Sequence, residues 1–171
     1  MRSVLFVCTA NRCRSPMAEA LFKQEVVRRS EAGQWQIQSA GTWTEAGVPA
    51  TQFSQIVMEH RQIDLTQHRS QPVDGELLRA ADVILVMTHN HRESLQAEFP
   101  EIAERVYLLS QLIDRQFDVE DPYGGSLDDY AMCADDIQKI LMNGWARLGE
   151  LIDRGVLARS GPGQKRESFS P

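Results

Sequence analysis

Residues 3–16 run Ser3-Val4-Leu5-Phe6-Val7-Cys8-Thr9-Ala10-Asn11-Arg12-Cys13-Arg14-Ser15-Pro16. An apolar, partly β-branched run ends at a cysteine, a polar stretch follows, and Ser15-Pro16 opens something new. Residues 3–7 have the composition of a short buried strand. Proline fits the first turn of a helix, where the missing N–H has no partner to lose. Ala18, Leu21, Phe22 and Val26 continue at helical spacing to about Ser30, and Gly33 ends the run. The stretch is therefore strand, loop, helix, with Cys8 at the carboxyl end of the strand.

Working outward, the same alternation recurs. Residues 35–40, 83–87 and 105–109 have strand composition. Helices are expected over residues 50–60, 77–81 and 92–98, and polar loops over 66–72 and 114–125. From Ser126, a good helix cap with Asp128 and Asp129 in the first turn, one long helix is expected. Its apolar stripe is Leu127, Tyr130, Ala134, Ile137, Leu141, Trp145, Leu148 and Ile152, and Gly155 is its expected stop. Alternating strands and helices define an α/β protein, a single domain with a four-stranded parallel sheet and helices on both faces. The domain is expected over residues 1–155, with a polar tail over 156–171. Such sheets bind ligands beyond the carboxyl ends of their strands, where Cys8 sits.

Bulk properties narrow the function classes. The 171 residues are 42% hydrophobic, enough for one real core, and the net charge is −6. That charge argues against a nucleic-acid partner, which calls for a basic face. No run of apolar residues is long enough to span a membrane. Residues 1–7 are too short for a signal peptide, so a cytoplasmic location is expected. Three cysteines, Cys8, Cys13 and Cys133, cannot make a disulfide framework, and no zinc-ligand spacing is visible. No metal or cofactor is expected.

A loop between a strand and a helix N-terminus can turn several N–H groups inward and cup an oxyanion. Cys8 would lie at its base, where the field favours the thiolate. Arg14 can return a planar fork of donors suited to two phosphate oxygens. That combination suits attack on phosphorus through a cysteinyl-phosphate. Asn11 tolerates the positive φ that a tight loop needs. A leaving oxygen needs a general acid, and Asp121 beside Pro122 in a turn is a candidate. Against this, a lone C-x5-R can be an ordinary core thiol, and Asp-Pro-Tyr-Gly an ordinary turn.

Taken together, the two motifs resemble those of the low-molecular-weight protein-tyrosine phosphatase family. The nucleophile loop C-x5-R-S is matched by residues 8–15, and the late Asp-Pro-Tyr acid loop by Asp121-Pro122-Tyr123. The resemblance runs from Val4 to about Ile152. It implies a hydrolase acting on phosphorylated proteins or peptides, with Cys8 as nucleophile, Arg14 as phosphate clamp and Asp121 as general acid and base. It implies that Thr9, Ala10, Asn11, Arg12, Cys13 and Arg14 line the phosphate cup and that Ser15 donates to the Cys8 sulfur. Asn11, Ser39 and His68 match the family's network that shapes the loop, although His68 can also be a plain surface histidine. Tyr123 matches an aromatic wall beside the substrate. Trp43 is a second wall or a packing residue, while Trp35 and Trp145 suit the core. Cys13 matches a second loop cysteine able to pair with Cys8 on oxidation.

The family pattern is broken at Arg12, where many tyrosine phosphatases of the family carry an aliphatic residue and its arginine-phosphatase branch a threonine. The rest of the loop, with Asp121-Pro122-Tyr123-Gly124-Gly125-Ser126, also resembles that branch. Phosphotyrosine is the expected substrate and phospho-arginine the alternative. An arsenate reductase would need further redox cysteines between residues 14 and 132, which hold none. A non-enzymatic phosphate-binding module would not need an acid loop.

Overall fold

The computed structural model describes residues 1–159. Strand β1 (Arg2–Cys8) lies between β2 (Trp35–Gly41) and β3 (Val83–Val86), and β4 (Val106–Leu108) pairs with the far side of β3. All pairings are parallel. β1 alternates its buried side chains: Val4 and Phe6 join one core, Leu5 and Val7 the other. A strand buried on both faces needs apolar residues at every position, which is why residues 4–7 have no polar break.

Helices cover both faces. On one side, α1 (Arg14–Arg28) and α2 (Gln52–Glu59) pack with the C-terminal helices through Met17, Phe22, Val57, Ile137, Leu141 and Leu148. Phe6, Phe22, Trp35 and Trp145 form an aromatic cluster there, so both tryptophans belong to the core as expected. On the other side, α3 (Gly75–Ala80) and α4 (His89–Glu98) supply Leu78 and Leu95. Their N-termini are capped by Asp74 and Thr88, as Thr51 caps α2.

The C-terminal stretch departs from expectation. It forms two helices, α5 (Leu127–Asn143) and α6 (Trp145–Arg159), broken at Gly144. Ser126 caps α5 as expected, exchanging bonds with Asp129. At Gly144 a Cβ would stand 2.4 Å from Leu112 Cβ, so the chain passes too close to its neighbour for any other residue. Gly155 does not stop α6. It lies inside the helix, where a Cβ would meet the Asp82 carbonyl oxygen at 1.8 Å. It is a contact glycine, letting the helix press against the chain before β3. Residues 156–159, expected in the tail, complete α6, and Arg159 donates to Asp82 at 2.6 Å. The remaining tail, 160–171, lies outside the described residues.

The connections leave β1 in one direction towards β2, while β3 and β4 lie on its other side. The carboxyl ends of β1 and β3 therefore mark a switch point, the usual place for a ligand in an open α/β sheet. The residue 8–14 loop occupies it.

Candidate active site

Cys8 closes β1 and is buried. Two groups reach its sulfur: the Asn11 backbone N–H donates at 3.3 Å, and the Ser15 hydroxyl lies 3.0 Å away, where either partner can donate. Ser15 also lies 3.3 Å from the Ala40 carbonyl. Its one proton can go to either acceptor. With a thiol, Cys8 can donate to Ser15 and Ser15 to Ala40; with a thiolate, Ser15 can turn its proton onto sulfur. The hydroxyl thus serves both states without leaving a buried group unpaired.

Asn11 sits at φ +52, the left-handed conformation anticipated for it. It is fully buried and uses every polar group. Its side-chain nitrogen donates to Ser15 Oγ at 2.9 Å and Ser39 Oγ at 2.8 Å. Its side-chain oxygen accepts the Gln71 N–H at 3.0 Å, and its carbonyl accepts His68 Nε2–H at 2.7 Å. His68 is therefore tied to the loop and is not a free surface histidine. Ser39 passes the chain on to the Glu19 carboxylate at 2.5 Å. Gly41 lies beside the loop: a Cβ would approach the Thr9 carbonyl oxygen to 2.5 Å. Trp43 N–H donates to that same oxygen at 2.9 Å, but the residue is 82% exposed and lies outside the core.

Arg14 enters from the first turn of α1 and is buried. Its fork donates to the Val119 carbonyl at 3.0 Å and to Asp121 Oδ2 at 2.6 Å. Its Nε has no partner among the described residues. Asp121 is about half exposed and also accepts the Tyr123 N–H at 3.2 Å, which shapes the turn. Tyr123 stands out at 69% exposure, with Gly124 at φ +84 behind it. The structure thus brings together both motifs, which are more than a hundred residues apart in the chain: Arg14 and Asp121 form one ion pair. Arg12 leans outward, donating from Nε to the Pro49 carbonyl at 3.0 Å. Thr9 and Ala10 are half-buried at the rim. Cys13 turns its thiol to Thr51 and Tyr130, each at 3.5 Å, and all three cysteines are free thiols. Burial pushes the Tyr130 hydroxyl up to about 12 and the Cys133 thiol up to about 12, so Cys133 is inert at neutral pH.

Sequence reasoning missed the start of α4. Val119 N–H bonds the Met87 carbonyl at 2.8 Å, and Asp118 accepts both the backbone N–H and the ring Nδ1–H of His89, at 2.8 and 2.6 Å. Burial is the largest single influence on the Asp118 carboxyl and would raise it, but the two bonds from His89, with the nearby His89 and His91 rings, together outweigh it and hold the group below its ordinary value. Thr88-His89-Asn90-His91 forms the first turn of α4, ahead of the expected start, and Thr88 as a cap was the available signal. Two cavities flank the cup, one of about 660 Å³ lined by Glu19, Ser39 and His68, the other of about 720 Å³ under the acid loop.

A buried sulfur at a helix N-terminus, with an arginine fork paired to a carboxylate beside it, is an arrangement whose chemistry suits a phosphoanion. Residues 3–152 match the family model for low molecular weight phosphotyrosine protein phosphatase. The chain belongs to that family, whose members are hydrolases. It is 36% identical over 139 residues to a protein-arginine-phosphatase of Bacillus subtilis, covering 81% of this chain and 91% of that one. It is 35% identical to a probable low molecular weight protein-tyrosine-phosphatase, EpsP, of Ralstonia nicotianae, covering 81% of this chain and 90% of the relative. Its fold matches a crystal structure of a YwlE mutant from Bacillus subtilis with a TM-score of 0.82 at 33% identity, over 87% of this chain and 99% of that one. No helix among the described residues is long and apolar enough to cross a membrane.

Proposed function

We propose that this chain hydrolyses phosphotyrosine on proteins through a cysteinyl-phosphate intermediate. The observation that carries the reading is the convergence of the Asn11 N–H and Ser15 O–H on the Cys8 sulfur, with Arg14 and Asp121 paired at the same cup. The Cys8 thiolate attacks phosphorus, and the ester oxygen leaves. The substrate dianion competes for the Arg14 fork, which releases Asp121. The freed Asp121 carboxylate takes up a proton from water, and the acid so formed gives it to the leaving oxygen as the P–O bond breaks. In the second half-reaction the Asp121 carboxylate takes a proton from water, which attacks phosphorus and returns Cys8 as thiolate. Backbone N–H groups of residues 9–14 hold the equatorial oxygens. Tyr123, projecting beside Asp121, walls the aryl ring. A cytoplasmic location suits three free thiols.

A second reading is phospho-arginine, favoured by the 36% identity to a protein-arginine-phosphatase. Arg12 weighs the other way. Its guanidinium is anchored at the mouth through Pro49, where it repels a second guanidinium and attracts an acidic flank. The test is a side-by-side assay on phosphotyrosine and phospho-arginine peptides of matched sequence. Phosphotyrosine turnover is expected to dominate, and Arg12→Thr to raise phospho-arginine turnover relative to it. Cys8→Ser should abolish both, since an alkoxide is far harder to form than a thiolate. A phospho-arginine preference in the native chain selects the second reading, and a near-native Cys8→Ser rate removes the covalent intermediate.

A further inference from the structure

Three buried side-chain polar atoms among the described residues have no partner, and two of them, Arg14 Nε and His91 Nδ1, lie at the cup. The first belongs to the clamp. The second is not used by the chemistry above. His91 stands in the first turn of α4, held by its N–H to the Thr88 cap at 3.2 Å, and is only 7% exposed. Its Nε2 lies 2.9 Å from Thr9 Oγ1. Thr9 directly follows the nucleophile, and its hydroxyl has no other partner among the described residues.

Burial first and the Arg14 charge second push His91 down to about 4, against the pull of Asp118 and Asp121. The ring is therefore neutral at neutral pH and carries one proton. On Nδ1 that proton would form a buried N–H without an acceptor. On Nε2 it is donated to Thr9 Oγ1, leaving only a lone pair unmatched, the less costly orphan. Thr9 then accepts from His91 and keeps its own proton free to donate.

Resting on the phosphatase reading, we propose that His91 is a positioning residue of the phosphate cup, holding the Thr9 hydroxyl so that its proton is presented to a phosphoryl oxygen. The cup then has a side-chain donor beside its ring of backbone amides. The same turn of α4 holds the acid loop through His89 and Asp118, so one helix start braces both halves of the site.

The test uses the full chain, with orthovanadate as a five-coordinate mimic and p-nitrophenyl phosphate as substrate. Thr9→Val and His91→Phe should each weaken vanadate binding and lower kcat/KM by about tenfold or more, the scale of one hydrogen bond to a charged group. Thr9→Ser should stay near the native values. The double variant should lose no more than the worse single one, because the two side chains act as one donor. Vanadate affinity unchanged in Thr9→Val, or losses that multiply in the double variant, would overturn the proposal. Should His91→Phe not fold, the comparison of Thr9→Val with Thr9→Ser still decides. Nitrogen-15 NMR of the native ring is a further check: a proton on Nε2 is expected, and one on Nδ1 overturns the role. A native chain that neither turned over substrate nor bound vanadate would sink the phosphatase reading itself. An active native chain with a native-like Thr9→Val variant sinks only the role of His91.

Discussion

The Arg14 guanidinium presents donors in a rigid plane, and in the free protein two of its nitrogens are engaged by the acid loop, one by Val119 and one by Asp121. A lysine would offer one compact charge and no fork. Arg14→Lys should therefore cost roughly 10²–10³-fold in kcat/KM, comparable to losing a preorganised oxyanion donor. Steady-state kinetics with p-nitrophenyl phosphate checks this, and a near-native rate removes the clamp role. Asp121→Asn leaves the size of the side chain and removes its proton chemistry. Loss should reach about 10²–10⁴-fold for aryl phosphates with poor leaving groups. It should be much smaller where the leaving phenolate is already stable. Pre-steady-state phenol release across a series of leaving-group pKa values measures the slope. An equal loss for every substrate would pass the acid role to another carboxylate of the loop, such as Asp118 or Glu120.

At the scale of elements, what the sequence showed well was period and punctuation. Four strands, the caps at Ser126 and the Ser-Pro helix start follow from local chemistry, and the structure bears them out. The break at Gly144 and the role of Gly155 were not legible, because both glycines answer to distant neighbours, Leu112 and Asp82, rather than to their own helix. A glycine inside a periodic stripe looks the same whether it ends a helix or lets it press on something. The two α6 glycines separate these meanings. Gly149 has open space around its missing Cβ, whereas Gly155 has a backbone oxygen 1.8 Å away. Gly149→Ala should hold or raise stability, by up to about 1 kcal/mol. Gly155→Ala must move the helix or the chain at Asp82, and overpacking of this kind costs about 1–3 kcal/mol. In a protein of this size that lowers Tm by roughly 3–10 °C. Thermal melts of the two variants give the comparison, and equal Tm values would mean the contact yields without cost.

The whole molecule joins groups that are far apart in sequence, and this is where the site became only partly legible. Cys8, Arg14 and Asp121 carry recognisable chemistry. Asn11 was legible as the residue for a positive φ, but its polar network with Ser39 and His68 was reached only through a family resemblance, and the bracing by His89 and His91 was invisible because a histidine in a polar helix start has no signature of its own. Yet His91 should leave a mark on the stability of the entire fold. Its ordinary value is 6.5, and burial followed by the charge of Arg14 takes it to about 4 in the folded state. Above pH 6.5 the ring is neutral folded or unfolded, and nothing is lost. As pH falls from there, the unfolded chain binds a proton that the folded chain refuses, so stability drops with falling pH until about pH 4. The full loss is up to about 3 kcal/mol, at 1.36 kcal/mol per unit. Glu25, held below its ordinary value chiefly by its hydrogen bond from Arg28, adds to acid loss only at lower pH, where carboxylates begin to protonate. Within the window between pH 6.5 and 4 the His91 ring therefore pulls stability down as pH falls. Urea unfolding at several pH values across that window should show stability falling steadily. In His91→Phe, which has no proton to bind at that position, the fall over the same range should be clearly smaller. A native chain with a flat profile there would mean that the ring opens to solvent on protonation, and the tight seat of His91 against the cup would be wrong.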